Sequence, residues 1–292
     1  MANEYHIPAM LSECTDALAV HAKGIYADLT FGGGGHSRAI LKAGAGHLYS
    51  FDQDLDALQN AIDDKRWTFV HSNFRYLRNW MDYYGEPGVD GILADLGVSF
   101  HHFDTAERGF SFRFDGPLDM RMNKSGKLTA ADIVNTYSEE DLAHVLWLYG
   151  ELKNSRSIAR AICKVRSLAL IERTEQLVDI VKLDKKDLPK LFQALRIEVN
   201  DEMGALKDML LSAKEVLKPG GRFVVLTYHS LEDRMVKNFF RSGNIDGEIE
   251  KDFYGNSLSP FRVIEKGRMA SVEEVERNPR SRSAKLRVAE KL

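Results

Sequence analysis

Apolar residues fall along the first hundred positions in short runs separated by amphipathic stretches. Ile25–Leu29, Leu48–Phe51, Thr68–Val70 and Gly91–Leu96 have the length and composition of strands. His36–Lys42, Leu55–Ile62 and Phe74–Tyr83 between them read as helices. This alternation predicts a parallel α/β sheet. The pattern changes near residue 129. Ala130–Asn135, Glu139–Tyr149, Ser155–Ser167, Thr174–Val181 and Leu188–Val199 read as helices, with no convincing strand among them. Thr129 and Ser138 stand where N-caps belong, and Ser138 to Asp141 resembles a capping box. A long amphipathic helix, Asp201–Leu217, stops at Lys218-Pro219-Gly220-Gly221, and strand character returns at Arg222–Tyr228. The chain thus reads as one α/β domain, residues 1–103 and 200–292, with a mostly helical insertion, residues 104–199, after the fourth strand. Loops at that edge of a parallel sheet line a binding crevice.

Composition narrows the class. A 44% hydrophobic and 28% charged content over 292 residues is that of an ordinary globular protein. No apolar run reaches the length of a membrane span. The opening residues lack the basic and apolar regions of a secretory signal, so the expected location is the cytoplasm. Cys14 and Cys163 alone make neither a disulfide framework nor a zinc site, and no metal is expected. The net charge of −3 excludes a generally basic nucleic-acid binder. Two local clusters run the other way. Arg108, Arg113, Arg121, Lys124 and Lys127 are interleaved with Phe110, Phe112 and Phe114. Arg277, Arg280, Arg282, Lys285 and Arg287 follow near the C-terminus. Either is a solvated face or a contact for phosphate and stacked bases.

The most informative stretch is Asp28 to Leu41, DLTFGGGGHSRAIL. A strand ends, glycines 32–35 follow, and a helix opens at His36. Such a unit lets a cofactor meet bare backbone at the positive end of a helix. Asp52, about 20 residues on, closes the second apolar run, where nucleotide-binding α/β folds hold ribose hydroxyls. The dinucleotide fingerprint fails, because Ser37 stands at its last glycine position, and no Gly-Lys-Ser/Thr of a P-loop is present. A cofactor with ribose but no phosphate, such as S-adenosylmethionine, fits better. Asp95 ends the fourth strand in Asp95-Leu96-Gly97-Val98-Ser99, a position suited to work on a substrate amine or hydroxyl. The cluster Tyr228-His229-Ser230-Leu231-Glu232-Asp233-Arg234 lacks the glycines of a nucleophile elbow. Ser230 with Asp233 reads there as a helix cap, and Arg234 as a phosphate contact.

The chain as a whole resembles the bacterial 16S ribosomal RNA (cytosine-N4)-methyltransferases of the MraW or RsmH type. The likeness rests on His6-Ile7-Pro8, DLTFGGGGHS at 28–37, Asp52-Gln53-Asp54, Asn73-Phe74, DGILADLGVS at 90–99, RGFSF at 108–112, GPLDMRM at 116–122, FQALRIEVNDE at 192–202, YHSLEDRMVK at 228–237 and NPRSRSAKLR at 278–287. It implies a Rossmann-like class I methyltransferase domain with S-adenosylmethionine as cofactor. Gly34, Gly35, His36, Asp52, Phe74 and Asp95 match the cofactor-binding positions. His102 stands where the family usually has a glutamine, and Leu188-Pro189-Lys190 where it usually has His-Pro-Ala. The implied substrate is the exocyclic N4 amine of a cytosine in small-subunit ribosomal RNA, within the assembled subunit. Asp95, with Ser99 second, is the expected acceptor for that amine. Arg108, Phe110, Phe112, Arg113, Arg121, Arg234, Arg280 and Arg282 are the expected substrate contacts, the two phenylalanines as the base clamp. A homodimer stays open, as do two other classes: a nucleotide-dependent oxidoreductase, and a non-catalytic RNA-binding assembly factor.

Overall fold

The computed structural model describes residues 8–97 and 105–292. Helix α1 (Leu11–Leu18) precedes strand β1 (Ile25–Asp28). There follow α2 (Gly35–Lys42), β2 (His47–Asp52), β3 (Trp67–His71), α3 (Leu77–Tyr84) and β4 (Val89–Asp95). After the helical segment come α9 (Glu202–Val216), β5 (Leu217–Thr227), α10 (Ser230–Ser242), β6 (Phe261–Met269), α11 (Val272–Arg277) and β7 (Lys285–Lys291). The seven strands lie in the order β3-β2-β1-β4-β5-β7-β6. Pairing is parallel from β3 to β5 and antiparallel from β5 through β7 to β6. Chain direction across the sheet reverses between β1 and β4, so a crevice opens at their C-terminal ends.

The inner strands are apolar on both faces because both are covered. Phe51, Ile92, Phe223 and Val225 join one buried cluster with α3, α9 and α10 residues such as Leu77, Met209 and Phe239. Leu48, Leu93, Val224 and Leu226 face the other way, toward Cys14, Leu18, Ile40 and Leu41 of α1 and α2. Burial of this kind is the main force that fixes the strand ends, at about 25 cal/mol per Å² of apolar surface.

Three local expectations need correction. Leu55–Asn60 is a 3-10 segment rather than an α-helix, its first turn fixed by Asp54, whose side chain accepts from the Asp56 amide. Lys218-Pro219-Gly220-Gly221 does not separate helix from strand. It lies inside β5, where the register steps from Val89↔Leu217 to Gly91↔Arg222. The antiparallel pair β6 and β7 was not anticipated. β6 is an edge strand with Arg262, Lys266 and Arg268 exposed and two register shifts, features that discourage edge-to-edge pairing.

Two compact units emerge, Met1–Gly97 with Met203–Leu292, and Val98–Glu202. The second contains α4 (Ala130–Thr136), α5 (Glu139–Gly150), α6 (Ser155–Arg166), α7 (Thr174–Val181) and α8 (Leu188–Asn200). It has its own core, in which Ile133, Leu142, Leu146, Ile158, Leu177, Leu191 and Leu195 meet. Thr129 and Asp132 form a reciprocal capping box at α4, and Ser138 caps α5 by accepting from the Asp141 amide.

Candidate active site

The glycine loop lies between the end of β1 and the start of α2. Its shape is fixed from both flanks. The Gly32 amide donates to Asp52 Oδ2 at 2.9 Å, and the Phe31 amide to the Phe51 carbonyl at 2.8 Å. Arg38 reaches back to the Gly33 carbonyl, and Asn60 to that of Gly32. Gly34 is the N-cap of α2 at φ 73°, a left-handed conformation that favours glycine, and a Cβ there would lie 2.8 Å from the Phe31 ring. No side chain caps α2, so its first-turn amides are left as donors at the crevice.

Asp52 ends β2 beside this loop. Its Oδ1 accepts from the Asp54 amide at 2.8 Å. Each carboxylate oxygen thus holds one backbone donor and keeps a lone pair for another. No salt bridge neutralises it among the described residues. Burial pushes its pKa up to about 6, against the pull of the Asp54 and Gly32 amides. Phe74 stands nearby. The Ser72 amide bonds the Asp52 carbonyl, and Asn73 Nδ2 donates to Gln53 Oε1 at 2.8 Å, which ties the ends of β2 and β3 together. Phe74 begins a short 3-10 turn there and is half-buried.

Asp95 ends β4 across the switch point. Its amide donates to Thr30 Oγ1 at 2.7 Å, and its Oδ1 accepts from the Gly97 amide at 3.3 Å. His36 lies on the other side, with Nδ1 3.9 Å from Asp95 Oδ2. The His36 ring is buried, and its Nε2 lies 3.1 Å from the Ala9 carbonyl. A carbonyl only accepts, so Nε2 carries a proton and Nδ1 faces the acid. The His36 side chain is therefore occupied inside the fold. Asp28, fully buried beneath the loop, accepts from Ser37 Oγ at 2.6 Å and from the Thr30 amide; burial raises its pKa.

Sequence reasoning had no means to single out Tyr228 as a neighbour of this acid. It follows β5, and burial together with the nearby charge of Asp95 pushes its phenol pKa well above the ordinary range. Its ring lies so close to Gly97 that a Cβ there would come within 2.8 Å. Glu232, buried in α10, accepts from the Tyr228 amide at 2.9 Å and lies 3.0 Å from His229 Nε2. The helix cap is thus built by Glu232 reaching back, not by Ser230 with Asp233 as the sequence suggested. Asp233 instead binds Arg287 and Lys285, which lowers its pKa against its partial burial.

The expected substrate contacts divide. Arg108 and Phe110 are buried and belong to the interior of the helical unit. The Arg108 guanidinium donates to the carbonyls of Arg121 and Met122 at 2.9 and 3.1 Å and stacks over Phe110. Phe112 is half-buried, edge-on to Phe192 at 5.6 Å between centroids. A base clamp at Phe110 or Phe112 is therefore corrected: these rings pack the unit's core. Arg121 is half-buried and held by Asp119 at 2.6 Å and by the Gly126 carbonyl. Arg113, Arg234, Arg280 and Arg282 are exposed. Ser99 and His102 lie outside the described residues.

A bare glycine loop between β1 and α2, with carboxylates at three neighbouring strand ends, defines an α/β enzyme for a ligand rich in hydroxyls or positive charge. A profile of the MraW methylase family matches residues 3–292, and the chain belongs to that family. It is 60% identical to the ribosomal RNA small subunit methyltransferase H of Phocaeicola vulgatus, over 98% of this chain and 97% of that one. The protein of the same name in Parabacteroides distasonis is also 60% identical, over 99% and 98%. A crystal structure of an rRNA methylase from Streptococcus thermophilus aligns with a TM-score of 0.44 at 12% identity, over 98% of this chain and 99% of that one.

Proposed function

We propose that this protein transfers a methyl group from S-adenosylmethionine to the exocyclic N4 amine of a cytosine in small-subunit ribosomal RNA. Near-full-length identity to the small-subunit methyltransferases supports the reading. The observation that carries it is the placement of Asp95 across the switch point from the glycine loop. The donor set also fits the cofactor. Asp52 has lone pairs for two ribose hydroxyls, and half-buried Phe74 offers an apolar face for adenine. Three carboxylates, Asp28, Asp52 and Asp95, would repel a pyrophosphate but favour a sulfonium.

The cofactor, when bound, supplies an electrophilic methyl on positively charged sulfur. The cytosine amine is a poor nucleophile, because its lone pair is delocalised into the ring. Asp95 accepts a hydrogen bond from the amine and aims its lone pair. The proton that the amine sheds on methylation would pass to Asp95 and then to solvent. The substrate is read as RNA within the small subunit, and the protein as cytoplasmic. No described helix is long and apolar enough to cross a membrane.

The test is transfer of labelled methyl to small ribosomal subunits lacking the modification, with mass mapping of the product. A single N4-methylated cytosine is expected. Asp95→Ala abolishes the signal, while Asp95→Asn keeps part of it, since an amide oxygen still accepts. A fully active alanine variant would place the amine's acceptor elsewhere.

A further inference from the structure

Helix α6 (Ser155–Arg166) carries a charge pattern that the mechanism above leaves without a role. From Lys153 to Ile171 the chain holds Lys153, Arg156, Arg160, Lys164 and Arg166 and no acid, in a protein whose net charge is −3. Ile158, Ala159 and Ile162 are buried in the core of the helical unit. Arg156, Arg160 and Lys164 stand on the opposite side of the helix and are exposed, as is Lys153 just before it. Four residues apart, these three lie along one line with about 6 Å of helix between successive positions. Arg166 differs, because its guanidinium donates to the carbonyls of Val134 and Tyr137 and is spent on the fold.

The pattern does not serve the helix. Like charges four residues apart repel on a helix surface. Arg156 lies in the first turn, where the helix dipole disfavours a cation. A merely solvated face carries both signs, arranged to attract. Here one carboxylate answers: Glu139 of α5 lies 3.4 Å from Arg160, and both side chains are exposed. Arg156 and Lys164 have no carboxylate partner among the described residues.

We propose that the stripe of Arg156, Arg160 and Lys164 is a contact for the phosphate backbone of the RNA substrate. This rests on the reading of RNA as substrate above. A straight row of evenly spaced cations suits a strand of evenly spaced phosphates and releases the counterions that the strand carries. The two guanidiniums offer paired N–H donors that match phosphate oxygens. Such contacts fix register and orientation without reading bases. With the whole protein negative, the attraction is confined to the stripe. A lipid surface is the other anionic partner for a basic amphipathic helix, but it takes up the helix's apolar face. In α6 that face is already buried in the unit's core, so the charged face alone is on offer. The stripe holds substrate and takes no part in the chemistry.

The experiment compares the full chain with a variant carrying Arg156→Gln, Arg160→Gln and Lys164→Gln. Glutamine keeps the helix propensity and removes the repulsion, so the melting temperature should match wild type or exceed it. Affinity for extracted small-subunit RNA is measured at several salt concentrations. The slope of log affinity against log salt is expected to fall by about 2, at about 0.7 for each lost contact to single-stranded phosphate. At about 0.1 M salt, affinity falls roughly 10- to 100-fold. The KM for small subunits rises accordingly, while cofactor affinity and kcat at saturating subunits stay at the wild-type level. A second variant, Arg156→Lys with Arg160→Lys, keeps the charge and should keep the wild-type slope. If its slope falls as far as in the glutamine variant, the effect is one of shape and the proposal is overturned. An unchanged slope and KM in the glutamine variant also overturn it, provided that wild type methylates the subunits. So does an unchanged RNA slope accompanied by lost binding to vesicles of anionic phospholipid, which would make a membrane surface the partner. Wild type that methylates no subunit RNA overturns the underlying reading of function instead.

Discussion

Asp52 makes the sharpest quantitative test of the cofactor site. Its two oxygens accept from the Gly32 and Asp54 amides at 2.9 and 2.8 Å, and burial without a cation holds its pKa up to about 6. An unfolded aspartate titrates near 4, at about 3.9. Between about pH 4 and 6 the native state therefore binds more protons than the unfolded state, and stability falls as pH rises through that window. The shift corresponds to about 3 kcal/mol of bias against the charged form, fully present above pH 6. Ribose hydroxyls donate to the ionised form and offset part of that bias. Cofactor affinity must then fall as the acid protonates. With a pKa of about 6, close to a tenth of the carboxylate is ionised at pH 5, so binding there is about tenfold weaker than at pH 7.

Substitution separates charge from shape. Asp52→Ala removes the acceptor for two hydroxyls and costs about 2–4 kcal/mol of binding, roughly 30- to 900-fold. Asp52→Asn is not silent either. Both oxygens face backbone N–H groups, so an amide must turn its NH2 toward one of them and break a loop anchor. Asparagine should also abolish the pH dependence through 6. Calorimetric titration with S-adenosylmethionine between pH 5 and 8 measures all three proteins. Wild-type affinity that is flat across this range, or an alanine variant that binds as tightly as wild type, would refute the placement of the ribose at Asp52.

Other predictions test the corrected assignments. Arg108→Ala should destabilise the helical unit by about 2–4 kcal/mol, because the carbonyls of Arg121 and Met122 lose their guanidinium donor; an unchanged urea midpoint alongside lost RNA binding would restore its role as a contact. Arg280→Ala with Arg282→Ala should weaken RNA binding and reduce the salt slope by about 0.7 log units per log salt for each lost contact to single-stranded phosphate. Cofactor affinity should survive in that double variant, and an identical slope would make this turn a solvated surface. Gly34→Ala should cripple cofactor binding, since φ 73° and the Phe31 ring both oppose a side chain; wild-type binding in calorimetry would show the loop to be yielding.

The α/β order was legible because parallel strands buried on both faces appear as short apolar runs, and Leu48 to Phe51 or Ile92 to Ala94 could be little else. Gly34, Asp52 and Asp95 were legible because their positions follow from backbone geometry at strand ends. The antiparallel pair was hidden. β6 alternates exposed Arg262, Ile264, Lys266 and Arg268 with half-buried partners, and such a strand looks like a charged loop. Lys285 and Arg287 looked like phosphate contacts, yet both turn inward onto Asp233. Charge in a sequence says nothing about which partner neutralises it. Tyr228 could not be found as a neighbour of Asp95 because the two meet only through the β4–β5 pairing, where Asp95 sits opposite Leu226.

The segment from Arg108 to Met122 shows why recurring motifs should not be equated with contacts. Gly109 has φ 71°, and a Cβ on it would fall 2.0 Å from the Pro117 carbonyl. A Cβ on Gly116 would fall equally close to the Ala106 carbonyl. Met120 donates its amide to the Arg108 carbonyl while the Arg108 side chain returns to the carbonyls that follow. Asn200, at the end of α8, then holds the Met120 carbonyl and the Met122 amide. Arg108, Gly109, Gly116, Met120, Met122 and Asn200 are thus used in folding one backbone crossing tightly. An arginine that is buried and turned onto main-chain carbonyls is poorly placed to meet phosphate, so we look for RNA contacts among those expected arginines that the fold leaves exposed, Arg113, Arg234, Arg280 and Arg282.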